Sequence, residues 1–191
     1  YMGCTFNAMS IIGGKEDGIG MINEIMPFSQ TGYVLQRTVL GLVGGLLSTG
    51  ITALLCMWLT PAEVLPAILL ILLSAFIAAL AGLFIGKLAE GLMVGIVYLK
   101  VLMILFIAPP ILFYLMVPAD APLFLLTYLL PSSATFYGLM DLLAGAGTSA
   151  MNIGALLCHC VLWLGAYLGM EVLSRHRRGS RQLPGQAGSM P

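Results

Sequence analysis

A Cys-His-Cys run near the end of the chain contains the side chains best suited to metal chemistry. Cys158, His159 and Cys160 are residue types that bind zinc or copper. On a helix, residues two apart point about 200° away from each other, so the two cysteines do not share one tetrahedral site. The sequence therefore predicts no metal site here. It predicts instead that His159 needs a polar partner inside a helix bundle.

Lys100 is an isolated cation in the apolar stretch of residues 91–117. A lysine at the centre of a bilayer costs about 2.5–3.5 kcal/mol on insertion scales. Either its long stem carries the amine towards the membrane surface, or Lys100 belongs to a pathway through the membrane. Pro109, beside Pro110, is expected to kink the same helix, which either shapes a cavity or only bends the helix. Lys100, Pro109 and His159 are therefore the candidate pathway residues.

Residues 15–31 form a third chemically distinctive segment, in which charged, polar and apolar side chains are mixed. Pro27 ends the predicted helix, while Asn23 and Glu24 lie away from its apolar face. Two interpretations stay open: a connector on the membrane surface, or a docking helix for a cytoplasmic partner. The apolar face consists of Ile19, Ile22, Ile25 and Met26.

The elements that must position these residues are apolar helices. The chain is 60% hydrophobic and only 8% charged, whereas a soluble chain carries roughly 25% charged residues. Residues 1–12 are apolar but too short to span, and we interpret them as the end of a second helix whose beginning is missing. The sequence predicts an all-α, polytopic transmembrane helix bundle. Stretches long enough to span a bilayer are residues 38–59, 64–86, 91–117 and 149–170.

Residues 118–148 differ from the spans because prolines interrupt them. Their apolar run, residues 123–130, is too short to cross a bilayer. We expect two short external helices that either lie at the membrane surface or re-enter the bundle, with Ser132 or Ser133 capping the second. The interrupting residues are Pro118, Pro122 and Pro131.

The basic residues set the orientation of the bundle. All Lys and Arg residues fall on one side of the four predicted spans, while Glu63, Asp120 and Asp141 fall on the other. The positive side is predicted to be cytoplasmic, which places the basic tail, residues 175–191, in the cytoplasm as a disordered segment. A formal net charge of zero gives no argument for a nucleic-acid partner. The basic residues are Lys15, Arg37, Lys87, Lys100, Arg175, Arg177, Arg178 and Arg181.

Glycines in the first two predicted spans allow helices to approach closely. The two interpretations are packing within the chain and packing across a dimer. The candidate packing positions are Gly41, Gly44, Gly45, Gly82 and Gly86.

Three segments, in this order, resemble the permeases of type-2 ABC exporters. The first is the acidic-glycine start at residues 15–18 followed by INEIMPFSQTGYVLQR, and the second is GKLAEGLMVGIVYLKVLMILFIAPP at residues 86–110. The third is LPSSATFYGLMDLLAG at residues 130–145. Gly86 stands where that family usually has Asn. The resemblance runs from about residue 10 to residue 173.

The resemblance implies a six-helix permease domain, here residues 1–174, of which the first helix and most of the second are absent. It implies a lipid-embedded dimer with a second permease copy or a paralogue, and a separate cytoplasmic ABC ATPase subunit. The chain contains no Gly-x-x-x-x-Gly-Lys-Ser/Thr loop, so ATP and magnesium are expected in that partner and no cofactor in this chain. The residues implied to couple to the ATPase are Glu16, Asp17, Ile22, Glu24, Met26 and Pro27.

The function implied is ATP-driven export from a prokaryotic cell across its plasma membrane, by a multi-pass permease that is not itself an enzyme. The predicted spans 38–59 and 64–86 contain no carboxylate, which favours a lipophilic drug-like or lipid substrate. One alternative is a membrane sensor or assembly component without transport activity. Another is a proton-coupled secondary transporter, for which His159 is the available intramembrane relay.

Overall fold

Every regular element in the described part of the chain is a helix. The computed structural model describes residues 2–17, 30–56, 60–118, 121–145 and 150–181. The all-α prediction is therefore confirmed. The helices are α1 (Met2–Glu16), α2 (Gln30–Cys56), α3 (Pro61–Leu88), α4 (Leu92–Met116), a 3-10 helix (Pro122–Leu129), α5 (Pro131–Leu143) and α6 (Ala150–Arg181).

Four of these helices are long and apolar enough to cross a bilayer, which confirms the predicted polytopic bundle. α4 continues through Pro109 and Pro110 to Met116. α1 runs further than predicted, because Lys15 and Glu16 form its last turn. The apolar windows are Thr38–Leu55, Glu63–Leu88, Leu92–Met116 and Ala150–Met170.

One face of α1 is buried against α2, α3 and α4, while Met2 and Phe6 on its other face are exposed. Small residues on α3 allow this close approach, since Ala78 and Ala81 are almost fully buried against α1. Asn7 of α1 is 1% exposed, and its Nδ2 donates a hydrogen bond to the Ala79 carbonyl oxygen at 2.8 Å. A polar side chain on α1 is thus paired with the backbone of α3.

The 3-10 helix and α5 form a bent pair that re-enters the bundle. The chain bends by 117° between them. The Oγ of Ser74, near the midpoint of α3, lies 2.7 Å from Oγ1 of Thr135 in the first half of α5. The turn therefore reaches about half way along α3, and α5 then returns along it, packing through Leu142.

Two details of the sequence-based prediction were wrong. Leu130 is the N-cap of α5, and Ser132 and Ser133 lie in its first turn. Pro131 explains this, because its fixed φ favours the first helical position and its missing N–H costs nothing there. The basic tail begins as helix, since α6 continues to Arg181.

Residue contacts show which helix ends lie together. The Lys15 amine at the end of α1 contacts the Lys87 carbonyl oxygen at the end of α3. The Lys87 amine lies 5.6 Å from the ring centroid of Tyr167 in the second half of α6. α1, α3 and α6 therefore end on one side of the bundle, the side predicted to be cytoplasmic.

Cysteine labelling tests this orientation. In a chain whose native cysteines have been replaced, Glu63→Cys is expected to react with a membrane-impermeant maleimide added outside intact cells. Ser180→Cys is expected to react only after permeabilisation, because the positive side of the bundle faces the cytoplasm. Labelling of both positions from the same side would contradict the topology.

Candidate functional site

The last turn of α1 holds the short connection between α3 and α4. Lys15 Nζ donates hydrogen bonds to the carbonyl oxygens of Lys87, at 3.2 Å, and Ala89, at 2.9 Å. Glu16 Oε1 accepts a hydrogen bond from the backbone N–H of Leu92 at 2.6 Å. We call this arrangement the junction, and define it as Lys15 and Glu16 together with residues 87–92.

The charges of the junction match the two helix ends that they contact. Lys15 meets carbonyl oxygens at the negative C-terminal end of α3, and Glu16 meets an N–H at the positive N-terminal end of α4. Gly91 is the N-cap of α4 and has no side chain with which to cap it, so Glu16 of another helix takes that role. Burial lowers the pKa of the Lys15 amine, and the nearby Glu90 charge opposes that shift.

The structure places only part of the predicted coupling set. Glu16 is at the junction, and Asp17 directly after α1 is exposed. Lys15 begins the predicted coupling segment, residues 15–31, but was not among the coupling residues named from the sequence; its contacts are with backbone oxygens, for which the sequence carries no signal. The remaining predicted positions, Ile22, Glu24, Met26 and Pro27, lie outside the described residues.

The three candidate pathway residues lie in different surroundings. Lys100 is exposed on the outer surface of α4, in an apolar stripe with Val97 and Val101. Pro109 is half-buried within α4. His159 is buried, with 9% of its surface exposed. They do not form one polar site in the described part of the bundle.

His159 has the polar partner that the sequence could not identify. Its Nε2 lies 2.9 Å from the carbonyl oxygen of Tyr128, at the turn of the bent pair. The Tyr128 hydroxyl donates to Asn152 Oδ1 at 2.8 Å, and Asn152 Nδ2 donates to Asp141 Oδ2 at 3.0 Å. We call these four side chains the outer network: it ties the bent pair to α6 and supplies polar partners inside an apolar bundle.

The cysteines beside His159 occupy different environments. Cys160 is buried and directs its Sγ towards the Leu73 carbonyl oxygen at 3.8 Å, whereas Cys158 is exposed. No cluster of three or more His, Cys, Asp or Glu residues suited to a metal occurs among the described residues. Asn152 was missed from the sequence, although an Asn inside an apolar span signals a buried hydrogen-bond partner.

Most of the candidate packing glycines contact α1. Gly41 and Gly45 lie against Gly3, and Gly82 lies against Cys4. A Cβ added at Gly82 would lie 2.6 Å from the Cys4 carbonyl oxygen. A Cβ added at Gly86 would lie 2.9 Å from the Ile11 side chain, whereas one at Gly44 would make only an ordinary contact with Phe6 at 3.7 Å.

An apolar groove of about 340 Å³ lies between α1 and α2, open to the outside of the bundle. Ser10 supplies its hydroxyl group, and the rest of the lining is carbon-rich. A pocket of this size and composition suits a lipophilic molecule. The lining residues are Phe6, Ser10, Leu40, Gly41, Val43, Gly44 and Leu47.

Comparison with known proteins identifies the family to which this chain belongs. Neither a curated protein nor a solved structure matches the chain. A family model described as an ABC-2 family transporter protein matches residues 1–168. This match covers the bundle, the junction and the bent pair, and agrees with the resemblance to type-2 ABC permeases. The chain therefore belongs to the ABC-2 family of transporter proteins.

Proposed function

We propose that this chain is the membrane-spanning permease subunit of an ATP-driven ABC exporter. The observation that carries the proposal is the position of α1. One face of this helix packs against α2, α3 and α4, its end leads directly into the proposed coupling segment, residues 16–30, and Glu16 holds the first residue of α4. A displacement of that segment by a motor on the cytoplasmic side would therefore act on three helices of the bundle.

The motor in this proposal is a separate ABC ATPase subunit that binds ATP and magnesium. A nucleotide state of the ATPase can act on the permease only if it binds two conformations of the bundle with different affinities. Residues 16–30 transmit the movement of the ATPase to the helices. A second permease copy or a paralogue completes the translocation pathway. The membrane is the plasma membrane of a prokaryotic cell, with the C-terminus in the cytoplasm.

The proposed substrate is a lipophilic drug-like molecule or a lipid. The groove between α1 and α2 supports this class, because it is apolar and opens towards the region that lipid occupies. Lys100 and Pro109 of α4 remain proposed pathway residues. No carboxylate lies on the lining of the groove, which disfavours a sugar or a metal cation.

The surroundings of His159 disfavour the proton-coupled alternative. A proton relay joins ionisable side chains, whereas the partner of His159 is a backbone carbonyl oxygen. This contact supports a structural role in holding the bent pair. A sensor or assembly component remains the alternative from another class. ATP-dependent transport distinguishes the proposed exporter from such a component.

Charge reversal in the coupling segment tests the proposal. Glu24→Lys is expected to lower recovery of the ATPase with the purified permease, because a like-charge contact replaces an attractive one at the docking surface. ATP-dependent transfer of Hoechst 33342 into the lumen of inside-out vesicles, and of an NBD-labelled phospholipid into their inner leaflet, should fall with it. The readouts are subunit stoichiometry on size exclusion and the fluorescence change on adding ATP.

Asp120→Lys is the matched control, since it reverses a charge in the segment predicted to lie outside the cell. It is expected to leave both readouts unchanged. Full ATPase recovery and normal transport in Glu24→Lys would contradict the docking role. A wild-type permease that neither binds an ATPase nor transports either probe would favour the sensor or assembly component.

A further inference from the structure

We propose that Lys15 and Glu16 form a clamp that stays closed through the transport cycle and carries movement of residues 16–30 into α4. The end of α1, the end of α3 and the start of α4 then move as one unit. This inference rests on the proposed function and names the route by which the motor reaches the bundle.

The geometry supports a rigid connection. The three hydrogen bonds of the clamp come from adjacent residues of α1 and reach both sides of the α3–α4 connection. The C-terminal end of α3 receives a cation and the N-terminal end of α4 receives an anion. Exchanging the two side chains would therefore place each charge at the wrong pole of a helix. Hydrogen bonds with one charged partner are about twice as strong as neutral ones.

A second contact holds α4 one turn further along. Gly95 of α4 packs directly against the Ile12 side chain of α1, so closely that a Cβ at Gly95 would overlap it. Ile12 is fully buried, as is Ala89 in the connection. The start of α4 is therefore fixed to α1 at two levels, by Glu16 and by Ile12, and a rotation of α1 has to carry α4 with it.

The clamp also lies next to the segment on which the ATPase would act. Glu16 is the last residue of α1, and the chain continues from it into the coupling segment. At the other end of that segment, α2 packs against α1 and α3. Among the described helices, α1 is thus the one that connects the segment to α4 through paired charges.

Spin-label distances test the clamp without requiring a known substrate. Labels on Leu54→Cys and Met116→Cys, both strongly exposed at the outer ends of α2 and α4, report the movement of α4 in the permease–ATPase complex in nanodiscs. The wild-type distance is expected to change when the ATPase is trapped with vanadate. In Lys15→Met and Glu16→Met the connection between α1 and α4 is broken, so most of the vanadate-induced distance change seen in the wild type should be lost.

Three further variants separate transmission from folding. Lys15→Arg and Glu16→Gln keep a donor and an acceptor, respectively, and should restore most of the distance change. Glu63→Met removes a comparable cap, because Glu63 Oε2 accepts hydrogen bonds from Thr60 at the outer end of α3. It should leave the distance change intact. In the Lys15 variants and in Glu63→Met the complex should keep its ATPase and continue to hydrolyse ATP.

Cross-linking tests whether the clamp stays closed. Ile12→Cys and Gly95→Cys, a pair that lies in direct contact and leaves Lys15 and Glu16 in place, should form a disulfide with equal yield in the nucleotide-free and vanadate-trapped states. A yield that collapses on trapping would overturn the proposal, as would a full distance change in Lys15→Met and Glu16→Met. A wild-type complex whose distance does not respond to vanadate would overturn both this inference and the proposed function, whereas failure of the clamp variants alone leaves the latter standing.

Discussion

Gly82→Ala is expected to destabilise the bundle by about 2 kcal/mol, because a single added carbon at a close helix contact forces the backbones apart. The new Cβ would lie 2.6 Å from the Cys4 carbonyl oxygen and 2.9 Å from the Asn7 Cβ. Both of those atoms belong to α1, and a carbonyl oxygen cannot rotate away as a side chain can. Thermal unfolding of the purified protein, followed by fluorescence-detected size exclusion, measures the loss.

Gly165→Ala is the matched control for this variant. Gly165 lies inside α6, and no atom is near enough to contact an added Cβ there. Alanine is favoured over glycine in a helix interior by about 1 kcal/mol, so this variant should be unchanged or slightly more stable. The two substitutions are chemically identical, and only the contact with α1 differs. Equal stability of the two variants would contradict the close packing of α1 on α3.

Asn152→Leu is expected to loosen the bent pair and to cost about 1–3 kcal/mol, the penalty for a buried polar group that loses its partner. Asn152 is 1% exposed and connects the Tyr128 hydroxyl to the Asp141 carboxylate. Without it, the Asp141 carboxylate and the Tyr128 hydroxyl each lose a bond in an apolar setting. Hydrogen exchange over residues 122–143, alongside thermal unfolding, reports the change.

A double-mutant cycle isolates the hydrogen bond itself. Tyr128→Phe removes the same bond from the other partner, so the effect of the double variant should be smaller than the sum of the single effects by about 0.5 kcal/mol or more. Tyr98→Phe, a change of the same type at a position that is 44% exposed on α4, should leave the exchange of the bent pair unaltered. Strictly additive effects of Asn152→Leu and Tyr128→Phe would contradict a direct bond between them.

The spans were predictable because an uncharged apolar run of sufficient length has few alternatives to a membrane helix. The prolines at residues 118–131 predicted an interruption, but they carry no information about depth. Depth depends on long-range pairs such as Ser74 with Thr135, and two hydroxyl side chains distant in sequence give no signal of their contact. The helical start of the tail was missed since four arginines resemble a solvated, disordered segment.

The junction shows what sequence reasoning leaves out at the candidate site. Glu16 was predicted as a coupling residue on family resemblance, and the structure adds a contact with the Leu92 N–H. Lys15 bonds only to backbone carbonyl oxygens in this connection. Every residue has such an oxygen, so no pattern of side chains reveals which ones will be used. The prediction that residues 16–30 dock an ATPase stays a prediction.

The pairing of Asn7 has a consequence for how the protein is made. Asn7 emerges from the ribosome before α3 does, because the Ala79 carbonyl oxygen that it bonds is 72 residues further along the chain. Until α3 has entered the membrane, the Asn7 amide faces either lipid, at a cost of several kcal/mol for an unpaired polar group, or the insertion machinery. α1 therefore acquires this hydrogen bond only after α2 and α3 have been synthesised. The first described helix to be translated reaches its final contacts with α3 only when that later helix has been inserted.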